Sequence, residues 1–158
     1  MEELIKRENN IFNILQEFIK ADLDFILVGG YAVSAFKHRF SVDADIVIKF
    51  KDLQNFENIL KKEGFKKTAE KQLENIYSSK FVRYEKELVS VDILINALAS
   101  RTTNAAFSYE FLFSNSTKKK ITGIEKEVIV RIPVKEFLII MKLHSGRLTD
   151  FRDIAALA

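Results

Sequence analysis

The sequence predicts an α+β (mixed α/β) domain: a mixed β-sheet flanked by helices, with further helices at its C-terminal end. Short apolar and β-branched runs at 25–28, 42–50, 78–85 and 88–95 read as strands. The segments between them carry apolar residues at helical spacing, and after Pro133 the helical pattern runs to the end. No internal repeat, low-complexity tract or Pro/Gly-rich linker interrupts the 158 residues. They therefore read as one domain, 1–158, long enough to bury a core.

In order along the chain, Leu4, Ile11, Leu15 and Phe18 predict a first helix over about 2–20. The run 25–28 is apolar throughout, as in a strand buried on both faces, and it ends in Gly29-Gly30. A short helix, 31–36, leads to the second strand at 42–50. Asp52 is placed to cap a third helix, along which Leu53, Phe56 and Leu60 form one stripe, and Gly64 stands where that helix would end. Strands near 78–85 and 88–95 follow, turning at 85–87. Residues 97–117 mix Ser, Thr and Asn with an aromatic patch at 107–113 and give no clear period. A hairpin over 118–132 turns near Gly123. Pro133 suits the start of a helix over 134–144, Gly146 its end, and Thr149 the cap of a last helix, 150–157.

The composition narrows the function classes. There is no cysteine, which excludes disulfides, thiolate metal sites and cysteine nucleophiles. Fourteen Phe and no Trp suggest an aromatic core more than an aromatic binding surface. A net charge of +3 permits a polyanionic partner such as RNA without requiring one. The charged N-terminus is not a signal peptide, and no apolar run reaches the roughly 18 residues of a membrane span. A cytoplasmic protein with no membrane partner is expected.

The chemistry is concentrated at 39–48 and 89–95. Side chains two apart in a strand share a face, so Asp43 and Asp45 project together at the margin of a buried strand. Two carboxylates there repel each other and are costly to desolvate, and a bound cation relieves both problems. Oxygen ligands of this kind suit Mg²⁺ or Mn²⁺. Asp92 lies alone in an otherwise mostly apolar strand. If that strand neighbours the first, three carboxylates can hold two ions roughly 3.5–4 Å apart, as two-metal phosphoryl chemistry requires. Gly29 and Gly30, between a buried strand and a helix, let a phosphate approach the backbone. The same pair also serves as an ordinary tight turn, and an Asp-x-Asp by itself is an ordinary solvated strand edge; it is the combination that points to chemistry.

Gly-Gly, a spacer, Asp-x-Asp and a later strand Asp together resemble the polymerase-β-like nucleotidyltransferase superfamily. The local form GGYA…R-x-S-x-D-x-D looks like the AbiEii-type toxin nucleotidyltransferases, a minimal branch. The segment Lys142-Leu143-His144-x-x-Arg147-x-x-Asp150-x-x-Asp153 is similar to that group as well. The resemblance runs from about residue 25 to 157. It implies transfer of a nucleoside monophosphate from an NTP substrate to an acceptor hydroxyl, on a tRNA or other RNA 3′ end or on a protein side chain. It also implies a toxin–antitoxin or phage-defence setting with a cognate toxin or antitoxin as partner.

On that reading Asp43, Asp45 and Asp92 are the catalytic and metal residues, holding two ions, and Asp92 can accept the hydroxyl proton. Gly29 and Gly30 place the phosphates. Arg39 reads either as a cation over the triphosphate or as a solvated loop residue. Lys142, on an apolar helix, reads as a snorkelling lysine, and the resemblance implies a triphosphate contact for it. Asp150 and Asp153 read as structural acids near a helix start. Lys118-Lys119-Lys120 reads as a charged hairpin edge. Neither histidine is assigned a role. A different class, a non-catalytic nucleotide- or partner-binding module of the antitoxin kind, keeps the same fold.

Overall fold

Helix α1 (Glu2–Lys20) forms because its apolar residues fall on one stripe: Ile11, Phe12, Ile14, Leu15 and Phe18 are all buried. Glu2 and Glu3 occupy its first turn and Lys20 its last, the order the helix dipole favours. The computed structural model describes residues 1–73, 79–99, 106–145 and 148–158, the side chains of 144–145 and 148–150 excepted. Gly146, Arg147 and the side chains of His144, Thr149 and Asp150 thus lie outside the described residues.

After α1 come β1 (Ile26–Val28), α2 (Gly29–Val33), β2 (Asp43–Ile48), a 3-10 turn (Phe50–Asp52) and α3 (Leu53–Lys62). Then follow β3 (Lys66–Gln72), β4 (Lys80–Lys86), β5 (Val89–Ile95), β6 (Ala97–Ala99), β7 (Ala106–Ser108) and α4 (Tyr109–Ser114). The hairpin β8 (Ser116–Thr122) and β9 (Glu127–Pro133) precedes α5 (Lys135–Ser145) and α6 (Leu148–Leu157).

The central sheet has the order β1-β2-β5-β4-β3. Only β2 and β5 run parallel; the other neighbours are antiparallel, so the sheet is mixed, as expected. Alternation along the strands separates two faces. Leu27, Ile46, Ile93, Val82 and Tyr84 point into the main core, where α1 and α3 cover them. Within that core Phe18, Phe25 and Phe56 meet edge to face, with centroids 4.8 to 6.2 Å apart. Ile26, Val28 and Val47 point the other way, to a smaller cluster with Tyr109, Leu112 and Phe137. That second layer covers one end of the face on which Asp43 and Asp45 lie.

Several elements differ from the sequence reading. Strand β3 is additional: its seven residues are all exposed, so it carries no apolar alternation to read. The stretch 97–117 contains a two-strand ribbon, β6 with β7, and α4, whose N-cap Ser108 accepts a hydrogen bond from the N–H of Phe111. Helix α2 begins at Gly29 rather than Tyr31 and spans only five residues. Asp52 does precede α3, yet its side chain makes no capping bond, because the 3-10 turn leaves it already in a helical conformation. Gly64, with φ +90°, ends α3 as expected.

Candidate active site

Register, more than proximity in sequence, builds the site. Asp45 is the cross-strand partner of Asp92 in the parallel β2–β5 pair, and Asp43 is the partner of Ser90. Paired residues share a face, so all three carboxylates emerge from one side of the sheet. Asp92 is buried, whereas Asp43 and Asp45 keep part of their surface exposed. The Ser90 hydroxyl donates to Asp43 Oδ1 in a short contact. Asp45 and Asp92 lie within side-chain hydrogen-bonding reach of each other.

This crowding has an electrostatic signature. Desolvation first, then the charges of Asp92 and Asp43, push the Asp45 carboxyl up to about 7. Lys142 opposes the shift and does not cancel it. A group of acids that cannot all ionise comfortably favours a cation in its midst. Among the described residues, no group of three or more His, Asp or Glu side chains is arranged to hold a metal ion. Arg83 engages both oxygens of Asp92, with Nε donating to Oδ1 at 2.7 Å and Nη2 to Oδ2 at 3.0 Å. Each of those oxygens retains a second lone pair, and Asp43 and Asp45 keep exposed surface, so the donor set fits an open divalent site completed by substrate.

The glycine turn abuts the acids. Gly29 has φ +71°, and a Cβ there would stand 2.4 Å from Asp45 Oδ2. Both the backbone and the space require glycine. At Gly30 a Cβ would meet Ser41 Oγ at 2.9 Å and Arg39 Nη2 at 3.0 Å. Glycine at position 30 therefore lets the Arg39 guanidinium lie against the turn, where any side chain would displace it. The loop bearing Arg39 is fastened by Tyr31, whose hydroxyl donates to the Ser41 carbonyl at 2.6 Å, and by His38, 2.7 Å from buried Glu8.

Arg39 and Lys142, distant in sequence, meet on one acid. Arg39 Nη1 donates to Asp153 Oδ1 in a short contact, and Lys142 Nζ lies 2.9 Å from Asp153 Oδ2. The second contact is ionic and not an aligned hydrogen bond. Asp153 and Lys142 are both buried. The sequence reading of Asp153 as a helix-start acid missed this. Its spacing from Lys142 across two helices was the available signal, but Arg39 is 114 positions away. Arg83 was also missed, since only the β4–β5 register pairs it with Asp92.

Comparison with solved structures places this architecture. The lincosamide antibiotic adenylyltransferase LnuA, solved with lincomycin bound, matches with 20% identity and a TM-score of 0.60, over 95% of each chain. ANT(2'')-Ia, solved with adenylyl-2''-tobramycin, matches with 15% identity and a TM-score of 0.62, over 99% of this chain and 88% of its own. The Thermotoga maritima protein TM1012 matches with 13% identity and a TM-score of 0.62, over 98% of this chain and 91% of its own. At such identities the likeness establishes the α+β fold. No curated protein sequence gave a match. The sequence itself matches the aminoglycoside-2''-adenylyltransferase family over residues 10–155, nearly its whole length. The superfamily expected from the motifs therefore stands. The AbiEii branch does not find support: the match over residues 10–155 is to a different family. The chain is a nucleotidyltransferase and belongs to the aminoglycoside-2''-adenylyltransferase family.

Proposed function

We propose that the protein transfers AMP from ATP to a hydroxyl group of a small-molecule acceptor of the aminoglycoside or lincosamide type. The observation that carries this reading is the convergence of Asp43, Asp45 and Asp92 on one sheet face, against the Gly29-Gly30 turn, in a chain of this family. In the reaction the acceptor oxygen bonds to the α-phosphorus, the bond from that phosphorus to the bridging oxygen breaks, and pyrophosphate leaves.

Asp43 and Asp45 would hold Mg²⁺ or Mn²⁺, with Asp92 beside them. Bound there, the ions would supply neutralisation of triphosphate charge and a lowered pKa for the acceptor hydroxyl. Asp92 takes the hydroxyl proton on one of its oxygens. The Gly29-Gly30 turn, which has no side chains, gives the phosphates access to backbone N–H groups. Helix α2 is too short for its dipole to add much. Arg39 lies against that turn and Lys142 acts electrostatically on Asp45, so both are placed to offset charge building on the leaving pyrophosphate.

The test is incubation with ATP labelled at the α-phosphate, Mg²⁺, and separate aminoglycoside, lincosamide, total-tRNA and protein acceptors. Label is expected on a small molecule, with Asp45→Asn reducing transfer by about three orders of magnitude or more while the fold is retained. Label on tRNA or on a protein alone would move the acceptor to the class implied by the toxin-like motifs. Transfer undiminished in Asp45→Asn would refute the site. A cellular effect that survives the same change would favour the non-catalytic binding module.

A further inference from the structure

Arg83 has no part in the reaction as described, yet it makes the most fully aligned charged contact in the site. It lies on β4 directly opposite Asp92 on β5. Its two donors meet the two carboxylate oxygens at 2.7 and 3.0 Å, the fork geometry that only arginine provides. The guanidinium is held from the other side by Phe81, two residues earlier on the same face, with its carbon 5.5 Å from the ring centroid. On the neighbouring strand β3 its partner is Ala69, whose side chain offers the cation no acceptor.

Asp92 needs such a restraint. Its other close neighbour is Asp45, a second carboxylate, and once both are ionised repulsion between them would turn Asp92 away. A single point of attachment leaves a carboxylate free to rotate about that point, whereas two fix its plane. We propose that Arg83 is a positioning residue for the transfer step, clamping Asp92 so that its carboxylate stays turned towards Asp45 and the reacting hydroxyl. The proposal rests on the catalytic reading of Asp92 given above. The Arg83 side chain is 36% exposed, so its place can be reached by a small cation from solution.

The experiment compares Arg83→Ala, Arg83→Lys and Asp92→Asn with the wild type, using the acceptor that takes label. For Arg83→Ala, kcat is expected to fall about 10- to 100-fold, with KM for ATP changed by no more than about twofold. Added guanidinium ion, well below denaturing concentration, should restore part of that kcat while leaving wild type and Asp92→Asn unchanged. Arg83→Lys, with one contact in place of two, should stay nearer to Arg83→Ala than to wild type. If Arg83→Ala does not fold, Arg83→Met keeps the aliphatic stem. With Met, lost kcat at a native-like melting temperature supports the clamp, and undiminished kcat overturns it. A kcat for Arg83→Ala within about twofold of wild type overturns the proposal, as does a loss that guanidinium cannot restore. Asp92→Asn separates the two levels. If it is inactive while Arg83→Ala is normal, only the clamp fails; if it is active, the catalytic reading of Asp92 fails as well.

Discussion

Asp45 shows how a single residue is set against the stability of its own fold. Its carboxyl is pushed up to about 7 by desolvation and by Asp92 and Asp43. Between the unfolded value near 4 and this one, the folded state binds more protons than the unfolded state. Stability from this residue therefore falls as pH rises through that window and stays low above it. Other carboxylates act in the opposite sense, so the contribution must be isolated. In chelator-treated protein, Asp45→Asn should melt above the wild type at about pH 8, with the gap shrinking towards pH 5. Equal gaps at both pH values would mean that the acids do not strain one another. This residue was legible in the sequence because alternation alone puts Asp43 and Asp45 on one face. Arg83 was not, because which residue lies opposite Asp92 is decided by register, and register leaves no local mark.

At the scale of elements, legibility followed burial. Helices α1 and α3 and strands β1, β2 and β5 press apolar side chains into the core, so apolar runs or stripes mark them in the sequence. Strand β3 touches the core nowhere, and β6 and β7 have three residues each, too few to show a period. The main core depends on aromatic contacts between elements. Phe56 is fully buried on α3 and meets Phe18 of α1 at 4.8 Å and Phe25, just before β1, at 6.2 Å. Phe56→Ala should destabilise the protein by about 3–5 kcal/mol, since three elements share the cavity and none can close it alone. For a chain of this size that lowers the melting temperature by roughly 10 °C. A thermal melt checks it, and a shift of only a degree or two would mean that the layer relaxes into the space.

At the scale of the whole molecule, two stretches far apart in the sequence are joined at the candidate site. Asp153 on α6 takes Arg39, from the loop before β2, and Lys142, from α5. It thereby ties the C-terminal helices to the glycine turn that Arg39 covers. The Arg39 half of this tie was invisible in the sequence, where Asp153 reads as one acid in a pair at a helix start. Because the acid is buried, its negative charge stabilises two cations whose own positions depend on it. Asp153→Asn keeps the shape and removes the charge, leaving Lys142 buried beside a neutral amide. Breaking a buried ion pair in this way costs about 3–5 kcal/mol, less here to the extent that Arg39 is partly exposed. The cations are the groups proposed to meet the triphosphate, so ATP affinity should fall together with the melting temperature. Calorimetric titration of ATP and a thermal melt on the same sample decide the matter. A lower melting temperature with undiminished ATP binding would separate the fold's use of Asp153 from the site's, and would free Arg39 and Lys142 from the phosphate role.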